Sequence, residues 1–215
     1  DLKEIVLTGV DLTSWGQDLS GEPRLGQLVQ AILDRYPALQ RLRLSSLDGI
    51  EVDPLLFELI AGEARVLPYV HLSLQHGDDL ILKRMKRRHS RRDAIDLVER
   101  LRARRPEIAL GADLIAGFPT ESGAAHQANL SIIAALQVVH GHIFPYSARP
   151  ATPAARMPQL DAATIKQRAG ELRQAVATQR DAWLRTMLGS PQEVLAERDG
   201  TGHAPNFARV ALPPG

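Results

Sequence analysis

The chain has no cysteine. That excludes disulfides, thiolate metal sites and a cysteine nucleophile within it. It also has almost no net charge: 26 Lys and Arg against 25 Asp and Glu leave +1. Bulk charge therefore points to no partner, and any case for nucleic acid must rest on local clustering. No apolar run approaches the ~20 residues of a membrane-crossing helix, and no secretory signal is visible. There is no initiator Met, and the opening DLKEIVLTGV is already strand-like. The expectation is an internal fragment of a longer, cytoplasmic protein. What is present is ordinary for a globular chain: 215 residues, 44% hydrophobic and 24% charged. This length can bury a sizeable core, in one large domain or in one domain with a small appendage.

Five apolar runs read as strands: EIVLTG (4–9), RLRLSS (41–46), YVHLSL (69–74), IALGADLIAG (108–117) and HGHIFPYS (140–147). Helical patterns separate them. LGQLVQAILDRY (25–36) puts Leu25, Leu28, Val29, Ile32 and Leu33 on one face, the spacing of a buried stripe. DPLLFELIAG (53–62) offers Asp53 as N-cap, Pro54 at the first helical position and Gly62 as a stop. DAIDLVERLRARR (93–105) is amphipathic and ends at Pro106, and a further helix is expected over about 121–137. After Pro158, residues 161–189 form one long helical run without proline. Residues 192–213 read as two short strands around a glycine-containing loop, too short for a complete β domain.

Strands alternating with helices imply βαβ units and a parallel sheet. Right-handed crossovers then leave two architectures, a doubly wound sheet or an open (β/α) barrel. Both place ligands at the carboxyl ends of the strands. Here those ends are polar or glycine-rich: TGVD, SSLD, LSLQHGDD, DLIAGFPTE and FPYSARP.

In GADLIAGFPTE (111–121), Asp113 occupies a strand position where an aliphatic side chain would pack better. A buried carboxylate is costly unless paired. Asp113 and Glu121 read either as a loop cap and a helix-initiating residue, or as two carboxylates that meet a ligand together with the Gly117 backbone. In HLSLQHGDD (71–79), Ser73 and Gln75 alternate with Leu72 and Leu74 and so face the other way. That polar face is either satisfied core or part of a small-molecule site. His71 and His76 are poorly spaced for ligation across a strand end, and no metal site is assigned. KRMKRRHSRR (83–92) has seven Lys or Arg in ten residues. On a helix it is either a solvated face or, through Lys83, Arg84, Lys86, Arg87, Arg88, Arg91 and Arg92, a surface for nucleic-acid phosphates. Phe144 and Tyr146 alternate in FPYSARPATPAARMP (144–158). They are either core or a pair flanking a flat ring such as adenine.

Together these stretches resemble the radical S-adenosylmethionine (SAM) methylthiotransferases. GADLIAGFPTE is similar to the family's fifth-strand motif, in which a strand Asp and a Gly-Phe-Pro-x-Glu bound the SAM pocket. TGVDLTSWG (8–16) resembles its Gly-x-(Asn/Asp)-x-x-x-(Tyr/Trp)-Gly motif. FPYSARPATPAARM resembles Phe-x-(Tyr/Phe)-Ser-x-Arg-x-Gly-Thr-Pro-Ala, with Ala151 in place of the usual Gly. His-Gly-Asp at 76–78, where other branches have Ser-Gly-Ser, and the surrounding residues resemble the branch that modifies threonylcarbamoyladenosine beside the tRNA anticodon. The resemblance implies a partial, TIM-like (β/α) barrel over 1–158, a helical segment over 159–190 and the start of a TRAM-like RNA-binding β domain over 191–215. It implies SAM bound by Gly9, Asp11, Ser45, Ser73, Gln75, Asp113, Gly117, Glu121, Phe144 and Tyr146. It implies tRNA, through its anticodon loop, held by Lys83, Arg84, Arg87, Arg88 and Arg91. The family's Cys-x-x-x-Cys-x-x-Cys loop and second set of three cysteines, which hold two 4Fe-4S clusters, are absent. The chain is therefore expected to carry the family's SAM and RNA surfaces without its redox chemistry. The rival readings are a non-catalytic RNA-binding module on the same scaffold, and a barrel enzyme such as an aldolase or hydrolase working through acid–base carboxylates. No strand end carries a Lys for Schiff-base chemistry.

Overall fold

The computed structural model of the protein describes residues 2–213. The chain divides into two compact units: residues up to His71 with Glu99–Ala109 and the segment from Leu184 onward, and Leu72–Val98 with Leu110–Trp183.

In the first unit, β1 (Glu4–Leu7) pairs in parallel with β2 (Arg41–Leu44), Glu4 opposite Arg41 and Leu7 opposite Leu44. Helix α1 (Leu25–Arg35) connects them and buries Leu25, Val29 and Leu33, the centre of the expected stripe. A short β3 (Ser46–Leu47) leads to α2 (Pro54–Gly62). Asp53 serves two helices at once. One carboxylate oxygen accepts the Leu56 amide at 2.9 Å as the N-cap of α2, and the other accepts the Gly26 amide of α1 at 2.9 Å. A Cβ on Gly26 would lie 2.5 Å from the Asp53 side chain, so the glycine permits the close approach.

The end of the chain adds three short antiparallel strands, not the expected two: β7 (Leu195–Ala196), β8 (Thr201–His203) and β9 (Arg209–Ala211). This segment covers the face of β2 opposite Leu42 and Leu44. Arg41 and Arg43 on that face are 4% and 5% exposed, and both pair with Glu4, at 2.6 and 2.8 Å. Arg41 also donates to the His203 carbonyl, and Arg43 to those of Ala204 and Pro205, all within 2.9–3.0 Å. Phe207 stacks on Tyr69 and on His203 and lies beneath the Arg43 guanidinium.

The strand β4 (Tyr69–Gln75) begins in the first unit and ends in the second. It neighbours β5 (Ala109–Ala116), which pairs in parallel with β6 (Val138–Pro145). Between β4 and β5 run α3 (Asp79–Arg84) and α4 (Arg91–Arg104); α5 (Gly123–Leu136) joins β5 to β6. The basic run is therefore not one helix. Residues 85–90 form a link in which Lys86 takes a left-handed φ of 59° and buried His89 turns inward to the Leu74 carbonyl at 3.0 Å. Ser90 and Asp93 then restart the helix by bonding each other's backbone amides, a reciprocal capping box.

Helix α6 (Ala162–Thr186) buries Ala169, Leu172 and Val176. Val176 sits on Gly141, where a Cβ would come within 2.6 Å, and Ile165 sits equally close on Gly117. No helix among the described residues is long and apolar enough to cross a membrane.

Candidate functional site

At the carboxyl ends of β4 and β5 the second unit opens a cleft of about 310 Å³. Its apolar floor is Met85, Ile115 and Phe118. These belong to or pack on the core cluster of Ile81, Phe118 and Ala125, so the floor is rigid. Its rim carries Arg84, Lys86 and Arg87, and Thr152–Ala154 close one side. Gln75, the last residue of β4, also lines it and is held at a φ of 65°. A non-glycine residue in that region is uncommon and costs about 1 kcal/mol or more. Arg84 is fixed by a 2.6 Å bond to the Thr120 hydroxyl.

Three ties hold this end of the unit. Asn129 on α5 accepts the Gly77 amide and donates to the Ile115 carbonyl, at 3.1 and 3.0 Å, linking the exits of β4 and β5. Arg91 donates to the carbonyls of Gly77 and Ala128 at 3.1 and 2.8 Å. Glu121 accepts the amides of Gly117 and Phe118 at 2.5 and 3.1 Å, closing the turn that carries the cleft floor. Around Glu121 stand Arg168 and the His126 ring, each at 3.3 Å, and the His76 ring at 3.9 Å. His126 reaches on to Glu171 at 2.5 Å. Burial opposes ionisation of Glu121, but the neighbouring His76, Arg168 and the Gly117 amide outweigh it and hold the carboxyl below its usual value.

The sequence-derived residues take different places. Gly9, Asp11 and Ser45 belong to the first unit. Asp11 accepts from the Ser14 hydroxyl at 2.8 Å, and the Ser45 hydroxyl is buried with no protein partner. Ser73 and Gln75 are half-buried on the polar face of β4, alternating with buried Leu72 and Leu74 as expected. Asp113 has found its partner in His142, directly opposite on β6, with the ring nitrogen at 3.0 Å. Gly117 has a φ of 73°, and its missing Cβ makes room for Ile165, so what approaches it closely is a helix. Glu121 spends its oxygens inside the unit. Phe144 and Tyr146 do not form a pair: β6 ends at Pro145, Phe144 is 52% exposed, and Tyr146 packs edge-on against Phe118 in the core cluster.

Of the basic residues, Lys83 and Arg88 are exposed, Arg84 and Arg87 are half-buried at the cleft, and Arg91 is a brace. The pattern reading passed over Met85, Ile115, Phe118 and His142. Met85 stands within the basic run and Ile115 near a strand end, two residues before Gly117, so sequence position marked both. Nothing in the sequence singles out His142 except its offset from Asp113 in the parallel pairing.

Parallel strands alternating with helices define an α/β fold. Residues 2–127 match the Radical SAM superfamily, and the chain belongs to that family. It is 46% identical over 210 residues to "Threonylcarbamoyladenosine tRNA methylthiotransferase MtaB" of Rickettsia prowazekii, covering 98% of this chain and 50% of that protein. It is 38% identical over 199 residues to a "tRNA-2-methylthio-N(6)-dimethylallyladenosine synthase" of Cereibacter sphaeroides, covering 93% of this chain and 45% of that one. The chain thus spans about half the length of the curated relatives it matches. Among solved structures, the radical S-adenosylmethionine methyltransferase TsrM from Kitasatospora setae aligns with a TM-score of 0.54 at 20% identity, over 71% of this chain and 29% of that one. That likeness shows the fold: the chain has a partial radical SAM fold.

Proposed function

We propose that this chain supplies SAM- and tRNA-facing surfaces of a cytoplasmic tRNA methylthiotransferase. Its substrate would be N6-threonylcarbamoyladenosine next to the anticodon, and its product the 2-methylthio derivative. The observation that carries this reading is the 46% identity to the threonylcarbamoyladenosine enzyme, sustained over 98% of the chain. SAM fits the residues present. The buried, unpartnered Ser45 hydroxyl is an orphan that a polar ligand atom would satisfy. We assign Gly9, Asp11 and Ser45 of the first unit to SAM; within the second unit, Asp113 pairs with His142, and Gly117 and Glu121 shape the turn. Iron–sulfur clusters do not fit this chain, which has no thiolate; their ligands, and the cleavage of SAM that a cluster supplies, belong to other residues of the enzyme. Asp113 is paired with His142 and Glu121 accepts the amides of its turn.

Deleting the encoding gene in its host and digesting total tRNA should remove 2-methylthio-N6-threonylcarbamoyladenosine from the nucleoside profile and leave its unmethylthiolated precursor to accumulate. A profile that keeps the 2-methylthio nucleoside overturns the reading.

The exposed cations give a second expectation. Lys83→Gln with Arg88→Gln should weaken tRNA binding and flatten the log–log salt dependence by roughly one unit per lost phosphate contact. Arg91 is left intact, because it braces Gly77 and Ala128. An unchanged slope in a filter-binding titration reduces these two residues to a solvated face.

A further inference from the structure

We infer that the cleft at the ends of β4 and β5 is a subsite for the carboxylate-bearing substituent of a modified purine in RNA, selected by Lys86 and Arg87. The inference deepens the reading above and rests on it.

The lining sorts by chemistry. Met85, Ile115 and Phe118 supply an apolar floor, and Arg84, Lys86 and Arg87 supply three cations. No Asp or Glu lines the cleft. An occupant with an apolar or planar body and one anionic group satisfies both halves. An uncharged substituent brings no counter-charge to the three cations of the lining, which is unfavourable. A bare backbone phosphate answers the cations but makes no use of Phe118 and Ile115. SAM carries a carboxylate too, but its sulfonium and ammonium groups give it a net positive charge, which the rim opposes.

The backbone shows that the rim is positioned. Lys86 holds a φ of 59°, Gln75 one of 65°, and Ala151, beside Thr152, one of 65°. Two strained non-glycine residues in the lining and a third adjoining it are what a shaped binding site stores. Arg84 is already fixed to Thr120, whereas Lys86 is exposed and Arg87 half-buried. A carboxylate entering between them would gain charge-assisted hydrogen bonds. The cleft volume of about 310 Å³ suits a substituent and part of its base.

The test compares three fluorescent anticodon stem-loops that differ at one adenosine: one carrying the threonylcarbamoyl group, one carrying its methyl ester, and one unmodified. Binding is measured by anisotropy to the full 215-residue chain and to Lys86→Gln and Arg87→Gln. The wild-type chain should prefer the free carboxylate over the ester by roughly tenfold, and each variant should bring that ratio towards one. Because the ratio is taken within one protein, the folded fraction cancels. Equal affinity of the wild-type chain for all three loops overturns the subsite while leaving the tRNA reading standing, with the cations serving backbone phosphates. A preference abolished by saturating SAM assigns the cleft to SAM and likewise overturns the subsite. Binding to none of the loops overturns both.

Discussion

Glu121→Ala is expected to loosen the second unit by about 3–5 kcal/mol, the cost of removing one partner from a buried charge network. The carboxylate accepts two backbone amides, at Gly117 and Phe118, and lies 3.3 Å from Arg168. Alanine orphans both amides and leaves the guanidinium half-buried beside two imidazoles. Hydrogen exchange of the 111–126 segment should accelerate first, because the turn loses the side-chain acceptor of its Gly117 and Phe118 amides before the strands separate. Glu121→Gln keeps the volume and one acceptor and should lose less. The pH dependence has a definite sign. The folded pKa lies below the ordinary value of 4.5, so the stabilisation is complete above that value and is lost as pH falls through the folded one. The stability difference between wild type and Glu121→Gln should therefore shrink below about pH 4.5. A difference that grows on acidification, or an alanine variant within about 1 kcal/mol of wild type, contradicts the clamp.

Arg43→Ala should have a comparable effect in the first unit. Arg43 is nearly fully buried, pairs with Glu4 at 2.8 Å, donates to two carbonyls and covers the Phe207 ring. Burial pulls its pKa down, with Glu4 opposing, but a guanidinium stays charged. Its loss leaves Glu4 with Arg41 alone, takes the arginine donor from the Pro205 carbonyl and leaves the Ala204 carbonyl with the Phe207 amide. We expect about 3 kcal/mol of destabilisation, with proteolytic cleavage appearing near 195–211 before the rest of the unit opens. Arg43→Lys should not rescue, since one ammonium cannot reproduce the forked geometry. Cleavage rates equal to wild type would show that the three short strands hold without this arginine.

Some of this was plain in the residue pattern and some was not, for physical reasons. The N-cap at Asp53 and the proline after it are local signals, and α2 begins where they place it. The alternation of Leu72, Ser73, Leu74 and Gln75 is likewise local, and the burial of β4 follows it. The composition of the basic run allows a helix throughout. What breaks it is a tertiary event, the insertion of His89 under Leu74, although Ser90 and Asp93 spell a cap. Asp113 announced that it needed a partner, but His142 is set by the register of β5 against β6, which no single strand contains. Gly117 and Glu121 stand out in the sequence, and in the structure Gly117 takes a φ of 73° while Glu121 accepts two backbone amides. The pattern could not tell a turn built for a ligand from one built for α6, because both require a glycine and an acceptor.

The two glycine notches under α6 act as a ruler. Ile165 seats over Gly117 and Val176 over Gly141. Eleven residues separate the two knobs, three full turns of about 16 Å, so both fall on one side of the helix. A single inserted residue between them would rotate one knob by about 100° and lift it out of its notch. The helix should accordingly accept many replacements along its outer face over long evolutionary spans, yet keep a constant residue count between positions 165 and 176.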